Sequence, residues 1–346
     1  MENLKVKTEP LFELGPFNDL LLLGGGSLLR DLCKWAKKNN FAIRVITSPR
    51  HATEHIEGIV LKKFLEEESI PHIVSESIAS NEVHTFVGEI SKTFCLSLGA
   101  AWIFKPLTIE KVFNNKLFNL HGTRLPQNRG GGGFSWQILT SNRFGFCVLH
   151  LIDGGIDTGD IIYFDEFLYP AICRIPEHYS DFYIKQNFSF ITKLLEETTN
   201  KSKLIKPIAQ AEYFSTYWPR LHTTTNAWID WSWDVYELER FICAFDSPYA
   251  GAQTYLNENK IHLKNVSINF QDGAFHSYQA GLVYRKSKNW LCVCVKGAGL
   301  IIENVLDENG SDKFDAIKVG DRFFTPYEKL ENVKHRVIYN ATGLKT

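Results

Sequence analysis

Between residues 19 and 99 the chain alternates short β-rich runs with amphipathic stretches, and the connections between them are brief. The runs LLLL (20 to 23), FAIRVIT (41 to 47), PHIVSES (71 to 77) and TFCLSLG (93 to 99) are interleaved with LLRDLCKWAKK and with GIVLKKFLEEE (58 to 68). Strands that arrive in β-α-β-α order pair in parallel, because the intervening helices carry the chain back across the sheet. The pattern continues with TIEKVFNN (108 to 115) as a helix, LFNLHG (117 to 122) as a buried strand and FSWQILTS (134 to 141) as a helix. RFGFCVLHLID (143 to 153) and DIIYFDEFL (160 to 168) read as two further strands continuing the parallel edge, joined by the turn GGIDTG. Apolar residues at helical spacing from 175 to 199, with a proline near the start, predict a long helix that closes this domain.

After residue 200 the character changes to a lysine- and threonine-rich stretch, then one helix and several short β-like runs separated by Gly, Asn and Asp turns. The expected architecture is α/β: a Rossmann-like, mostly parallel sheet with helices on both faces, plus a smaller C-terminal β-rich domain of OB-like barrel type. The boundaries expected are 1–205 for the first domain, 206–232 for a linker and 233–346 for the second, and 346 residues suit two domains.

Charge narrows the function classes. The formal net charge is −1, and residues 206 to 346 hold 16 Lys and Arg against 16 Asp and Glu, so neither the chain nor its second half is an evident polyanion binder. The longest apolar run near the N-terminus, Leu20 to Leu23, is too short for a signal peptide core or a membrane span, and a cytoplasmic protein without membrane contact is expected. Seven scattered cysteines with no CxxC pair read as reduced, buried thiols rather than a disulfide frame or a metal site.

Two glycine-rich segments stand out. LLLLGGGSLLRDL (20 to 32) has the strand, turn and helix of a phosphate-binding loop but matches neither GxGxxG nor a P-loop, so Gly24 to Gly26 are read first as a tight structural turn. FNLHGTRLPQNRGGGGFSW (118 to 136) is the richer one. Asn119 and His121, two residues apart on a strand, point to the same side of the sheet, and at its carboxyl end they meet the place where open parallel sheets bind ligands. An amide donor and an imidazole there suit group transfer: one stabilises a developing oxyanion, the other passes a proton. Asp157, in the turn LIDGGIDTGD, is the candidate to hold the imidazole.

FNLHGTRLPQNRG, followed 36 residues after its histidine by the Asp of IDTGD, resembles the signature of the folate-dependent formyltransferases. SLGAAWIFKPLTIEKVF (97 to 113) and IDWSWDVYELERFICAFDSPYAGAQTYL (229 to 256) are similar to the segments of that family that line the folate pocket and enter the C-terminal barrel. The resemblance implies that 1–205 is a formyltransferase catalytic domain with Asn119, His121 and Asp157 as its catalytic set. It implies that Trp102, Ile103, Phe104, Lys105, Gly131, Asp153, Gly154 and Gly155 hold N10-formyltetrahydrofolate, with no metal.

For the acceptor, the family offers methionyl-tRNA, glycinamide ribonucleotide and nucleotide-linked amino sugars. The tRNA branch carries a long basic loop after its second strand, whereas only SPRHATEHIEG follows here, and the ribonucleotide enzyme is about one domain long. A nucleotide-linked amino sugar destined for cell-surface polysaccharide is therefore the expected acceptor, with no nucleic acid. Arg50, His51 and Arg129 are candidates for its diphosphate. Arg124 stands near the acceptor path, where the family commonly has an apolar residue. A methionyl-tRNA formyltransferase, or a catalytically silent nucleotide-binding module of the same fold, are the alternatives. A homodimer is an expectation of the resemblance alone.

Overall fold

The structure is a computed structural model and describes residues 11–344 apart from Ala100 and Gly132. Its first half is built on β1 (Asp19–Gly24), α1 (Ser27–Lys38), β2 (Ala42–Thr47), α2 (Leu61–Glu67), β3 (His72–Val74), α3 (Asn81–Val87), β4 (Thr93–Leu98), α4 (Pro106–Phe113) and β5 (Leu117–His121). Then come α5 (Gly133–Leu139), β6 (Phe144–Leu151), β7 (Ile161–Leu168) and α6 (Pro176–Thr198). One seven-stranded sheet runs in the order β7-β6-β5-β4-β1-β2-β3.

The unbroken Leu20–Leu23 run follows from that order. A central parallel strand is covered on both faces and so has no polar side. Leu20 and Leu22 pack with Leu29, Leu32 and Leu194 on one face, while Leu21 and Leu23 pack with Val83, Val87 and Phe113 on the other.

The last two strands are not parallel. β6 pairs antiparallel with β5, and β7 antiparallel with β6, which corrects the expected continuation of the parallel edge. The reason lies in the connections. A parallel return needs a crossover helix lying on the sheet; the seven-residue α5 packs instead against a helix of the C-terminal lobe, and the short GGIDTG segment turns β6 straight back into β7. The helix α3, capped by the Ser80 hydroxyl accepting from Val83 N at 3.2 Å, is an element the sequence pattern did not mark.

The second lobe holds α7 (Val235–Ala244) and a six-stranded antiparallel sheet. Its strands are β8 (Ala252–Leu256), β9 (Asn259–Asn269), β10 (Val283–Lys286), β11 (Leu291–Val295), β12 (Ala298–Leu306) and β13 (Phe323–Phe324). The sheet curls until its edges approach: Leu282 bridges Arg322, and Phe323 N donates to Gly281 O at 2.8 Å. The segment between the lobes is built in, with Ala227, Ile229 and Trp231 buried beside Ile138, Tyr169 and Tyr179 of the first lobe and Leu238 and Phe241 of α7.

After the helix Tyr327–Asn332 the chain recrosses the molecule: Asn226 Nδ2 donates to Val333 O at 2.8 Å, and Ala341 packs on the cluster that contains Trp102 and Phe104. All seven cysteines are free and buried, and burial pushes the Cys33, Cys95, Cys147 and Cys243 thiols up to about 12. Among the described residues no helix is long and apolar enough to cross a membrane.

Candidate active site

Asn119 and His121 leave the carboxyl end of β5 on one face, and β6 lies beside them with His150 opposite Asn119 and Val148 opposite His121. Directly opposed residues on antiparallel strands share a face. His150, buried at 2% exposure, therefore joins the constellation, a residue the sequence reading missed. Its Nδ1–H donates to Leu151 O at 2.8 Å, because a carbonyl can only accept, and that leaves Nε2 to accept from Asn119 Nδ2 at 3.0 Å. The other hydrogen of the Asn119 amide reaches Asp157 Oδ1 at 3.3 Å.

His121 is gripped on one side only. Its Nε2 lies 2.7 Å from both Asn128 O and Thr123 Oγ1, and Thr123 in turn donates to Asn128 O at 3.0 Å. Its Nδ1 stands 3.8 Å from Asp157 Oδ2, an electrostatic contact rather than a hydrogen bond. The loop from Thr123 to Asn128 thus fixes the ring, and Asp157 supplies the field.

Asp157 has a left-handed backbone, φ 54°, and is held from two directions: Gly130 N donates to its Oδ2 at 2.9 Å, and Gln210 Nε2 donates to its backbone oxygen at 2.9 Å. Burial pushes its carboxyl up, but the charge of His121, the His150 ring and the Gly130 N–H outweigh it and hold the group well below the usual carboxylate range. The glycine run serves this contact. Gly130 has φ 103°, and a Cβ there would meet Trp218 O at 2.2 Å, so only glycine brings the strand so near.

Two cavities meet at this constellation. One, of about 500 Å³, is lined by Trp102, Phe104, Asn119, His150, Ile152 and Asp157, with Tyr217, Arg220 and Arg336 to Tyr339 also on its walls. The other, of about 340 Å³, is lined by Leu28, Phe134, Trp136, Tyr183 and Trp218, with Ser27, Gln137 and Ser180 among its polar groups. Gly99, Leu120, His121, Gly130 and Gly131 line both.

Of the residues expected at the donor, Trp102, Ile103, Phe104, Gly131, Asp153 and Gly155 line the first cavity. Lys105 stands apart at the exposed start of α4, and Gly154 packs against Pro106. Of those expected at the acceptor, Arg129 is buried and engaged by Glu212 at 2.7 Å and Gln210 at 3.2 Å, while exposed Arg124 borders a separate groove with Phe144 and Phe164. Arg50 and His51 flank the glycine turn after β1, where a Cβ on Gly25 would meet His51 at 2.8 Å. Gly24 and Gly26 have φ 125° and 87°, so the turn is explained by backbone geometry and by this close approach.

The chain has known counterparts in sequence and in fold. Residues 222–316 match the family model described as formyl transferase, C-terminal domain. The methionyl-tRNA formyltransferase of Lachnospira eligens is 23% identical over 290 residues, 79% of this chain and 86% of the relative. The bifunctional polymyxin resistance protein ArnA of Wigglesworthia glossinidia brevipalpis is 23% identical over 308 residues, 85% of this chain but only 44% of that longer protein.

Among solved structures, WlaRD, a sugar 3N-formyl transferase in the presence of dTDP and 5-N-formyl-THF, superposes with a TM-score of 0.60 at 21% identity, over 82% of this chain and 97% of WlaRD. The N-formyltransferase from Helicobacter canadensis in complex with folinic acid and dTDP-3-aminofucose gives 0.60 at 19% identity, over 84% and 99%. The fold is therefore one shared with solved formyltransferase structures. The stretch that matches the formyl transferase C-terminal model lies in the second lobe and its approach.

Proposed function

We propose that the protein transfers a formyl group from N10-formyltetrahydrofolate to the primary amine of a nucleotide-linked amino sugar. One observation carries the reading: His121 stands at the seam of two cavities with Asn119 and Asp157 beside it, so that a donor on one side and an acceptor amine on the other would meet at the same imidazole.

The first cavity suits the folate. Its lining combines the aromatic rings of Trp102 and Phe104 with the polar groups of Asn119, His150 and Asp157, as a planar ring system with a hydrogen-bonding edge requires. The donor supplies a formyl carbon on a nitrogen leaving group. The Asn119 amide would turn its weaker bond, the 3.3 Å contact with Asp157, toward the oxygen on which charge develops. His121 would take the proton from the amine and deliver it toward the leaving nitrogen. Asp157, ionised throughout the neutral range, would stabilise the charged imidazole.

Besides the His121 imidazole, the second cavity has only the paired Arg129 as a charged side chain among the described residues of its lining, which suits an uncharged sugar ring better than a phosphate. The dTDP and dTDP-3-aminofucose of the two structural counterparts support a dTDP-linked sugar. A reaction fed by reduced folate and sugar nucleotides belongs in the cytoplasm, its product serves cell-surface polysaccharide, and a homodimer accords with the class.

The test is release of tetrahydrofolate from N10-formyltetrahydrofolate against a panel of nucleotide-linked amino sugars, with charged initiator tRNA as the competing acceptor. Turnover with a sugar nucleotide is expected, with N119A slower by on the order of 100-fold and H121A without measurable turnover, both melting like wild type. Turnover with tRNA alone would replace this reading with the activity of the methionyl-tRNA relatives. Folate binding without transfer to any acceptor would leave the silent module.

A further inference from the structure

Three arginines gather around the mouth of the donor cavity. Arg220 lies 4.2 Å and Arg50 6.0 Å from the centre of the Tyr339 ring, and Arg336 lies 5.2 Å from that of Tyr217, donating to its hydroxyl at 3.1 Å. Arg220, Arg336 and both tyrosines line the cavity that holds Asn119, His121 and Asp157. Arg30, Arg44, Arg129, Arg174 and Arg285 each pair with a carboxylate, whereas Arg124, Arg143, Arg240 and Arg322 do not among the described residues. Among the described residues no carboxylate lies within ion-pair distance of Arg50, Arg220 or Arg336, and Arg50 Nε has no hydrogen-bond partner there.

The field of this group is felt by its neighbours. Burial, then Arg50 and Arg220, lower His51 to about 4, and burial with Arg220 lowers His222. Glu54 lies in the field of Arg50 and Arg220 without reaching ion-pair distance and offsets part of their mutual repulsion; a bound anion would remove the rest. Planar guanidiniums on several sides of one opening are the arrangement that grips a carboxylate or phosphate through paired hydrogen bonds.

We propose that Arg50 and Arg220 beside Tyr339, together with Arg336 beside Tyr217, form a binding site for a multiply charged oxyanion at the mouth of the donor cavity. The ligand group is the charged end of one of the two substrates, the glutamyl carboxylates of the folate or the diphosphate of the sugar nucleotide, and to that extent the site rests on the proposed reaction. It is assembled from three distant segments, with the chain beyond the Tyr327–Asn332 helix supplying one cation and the Tyr339 ring. That return segment is then a specificity element and not a tail.

The measurement is calorimetric binding to the full chain, to R220A/R336A and to R220K/R336K, with four probes: 5-formyltetrahydrofolate, its analogue lacking the glutamyl group, dTDP and thymidine. Both arginines are exposed, and equal melting temperatures verify the fold. The alanine pair is expected to weaken one anion-bearing probe by about 10- to 100-fold and leave its stripped counterpart unchanged, with partial recovery in the lysine pair. Loss on the folate assigns the carboxylates; loss on dTDP assigns the diphosphate.

Unchanged binding of both anionic probes, or equal losses with and without the anion, overturns the site while the proposed reaction stands. A wild-type chain that binds neither 5-formyltetrahydrofolate nor dTDP overturns both.

Discussion

A histidine packed on a glycine turn in the field of two arginines behaves differently from one that faces water. His51 is held neutral down to about pH 4 in the folded protein, whereas the unfolded chain takes its proton near the ordinary 6.5. Above pH 6.5 both states are neutral at this position and it contributes nothing to the pH dependence. As the pH falls from 6.5 toward 4 the unfolded state binds more protons, so stability declines. H51Q should therefore lose stability less steeply than wild type over that interval, read from urea midpoints; parallel curves would show that His51 carries no linkage. The same neutrality means that His51 would serve an anion only as a hydrogen-bond donor, leaving the charge to its arginine neighbours.

Residue-level legibility followed strand geometry. Asn119 and His121 were readable because two positions on one strand share a face whatever the strand pairs with. His150 was not, since its place opposite Asn119 depends on a register between β5 and β6 that no local pattern states. The cations at the mouth of the donor cavity were still less accessible: apart from Arg50, they lie on segments whose neighbours in space are remote in sequence.

At the scale of elements, the loop between β5 and α5 does two things at once. Arg129 and Gly130 form a short parallel pairing with Tyr217 and Trp218, and the Gly130 N–H holds Asp157. Gly130→Ala would place a methyl group 2.2 Å from Trp218 O at a positive φ, so the pairing must separate. The expected cost is about 2 kcal/mol or more, seen as a lower melting temperature together with slower turnover because Asp157 loses its donor. A variant that melts like wild type would show that the loop relaxes without strain.

Apart from α3, the helices and parallel strands of the first lobe were legible because each apolar run has one period and one length. The direction of β6 and β7 was misread for a physical reason: α5 has the length of a turn of crossover but spends its apolar side on α7, and sequence does not reveal which surface a short helix will choose.

At the scale of the molecule, the core of the second lobe extends into the first. Ile138, Tyr169 and Tyr179 from the first pack with Ile229, Trp231 and Phe241 from the connection and the second. Residues 1–205 expressed alone should expose that apolar face, bind a hydrophobic dye and melt without a sharp transition. A soluble, cooperative fragment would mean that the first lobe is complete without its partner. The composition shift near residue 200 says nothing of how much surface the two architectures bury together, and the chain beyond it still pairs with the first lobe at Lys203–Ile205 and Tyr217–Trp218.

The seam at His121 has a kinetic consequence. The two cavities share five residues at their junction, and the rest of their linings are distinct. A single deep pocket imposes a queue, in which the first ligand must be seated before the second can follow. Two chambers that open on one imidazole impose none; on the proposed reaction either ligand would wait in place for the other, and the rate would respond to both concentrations as it does in random addition.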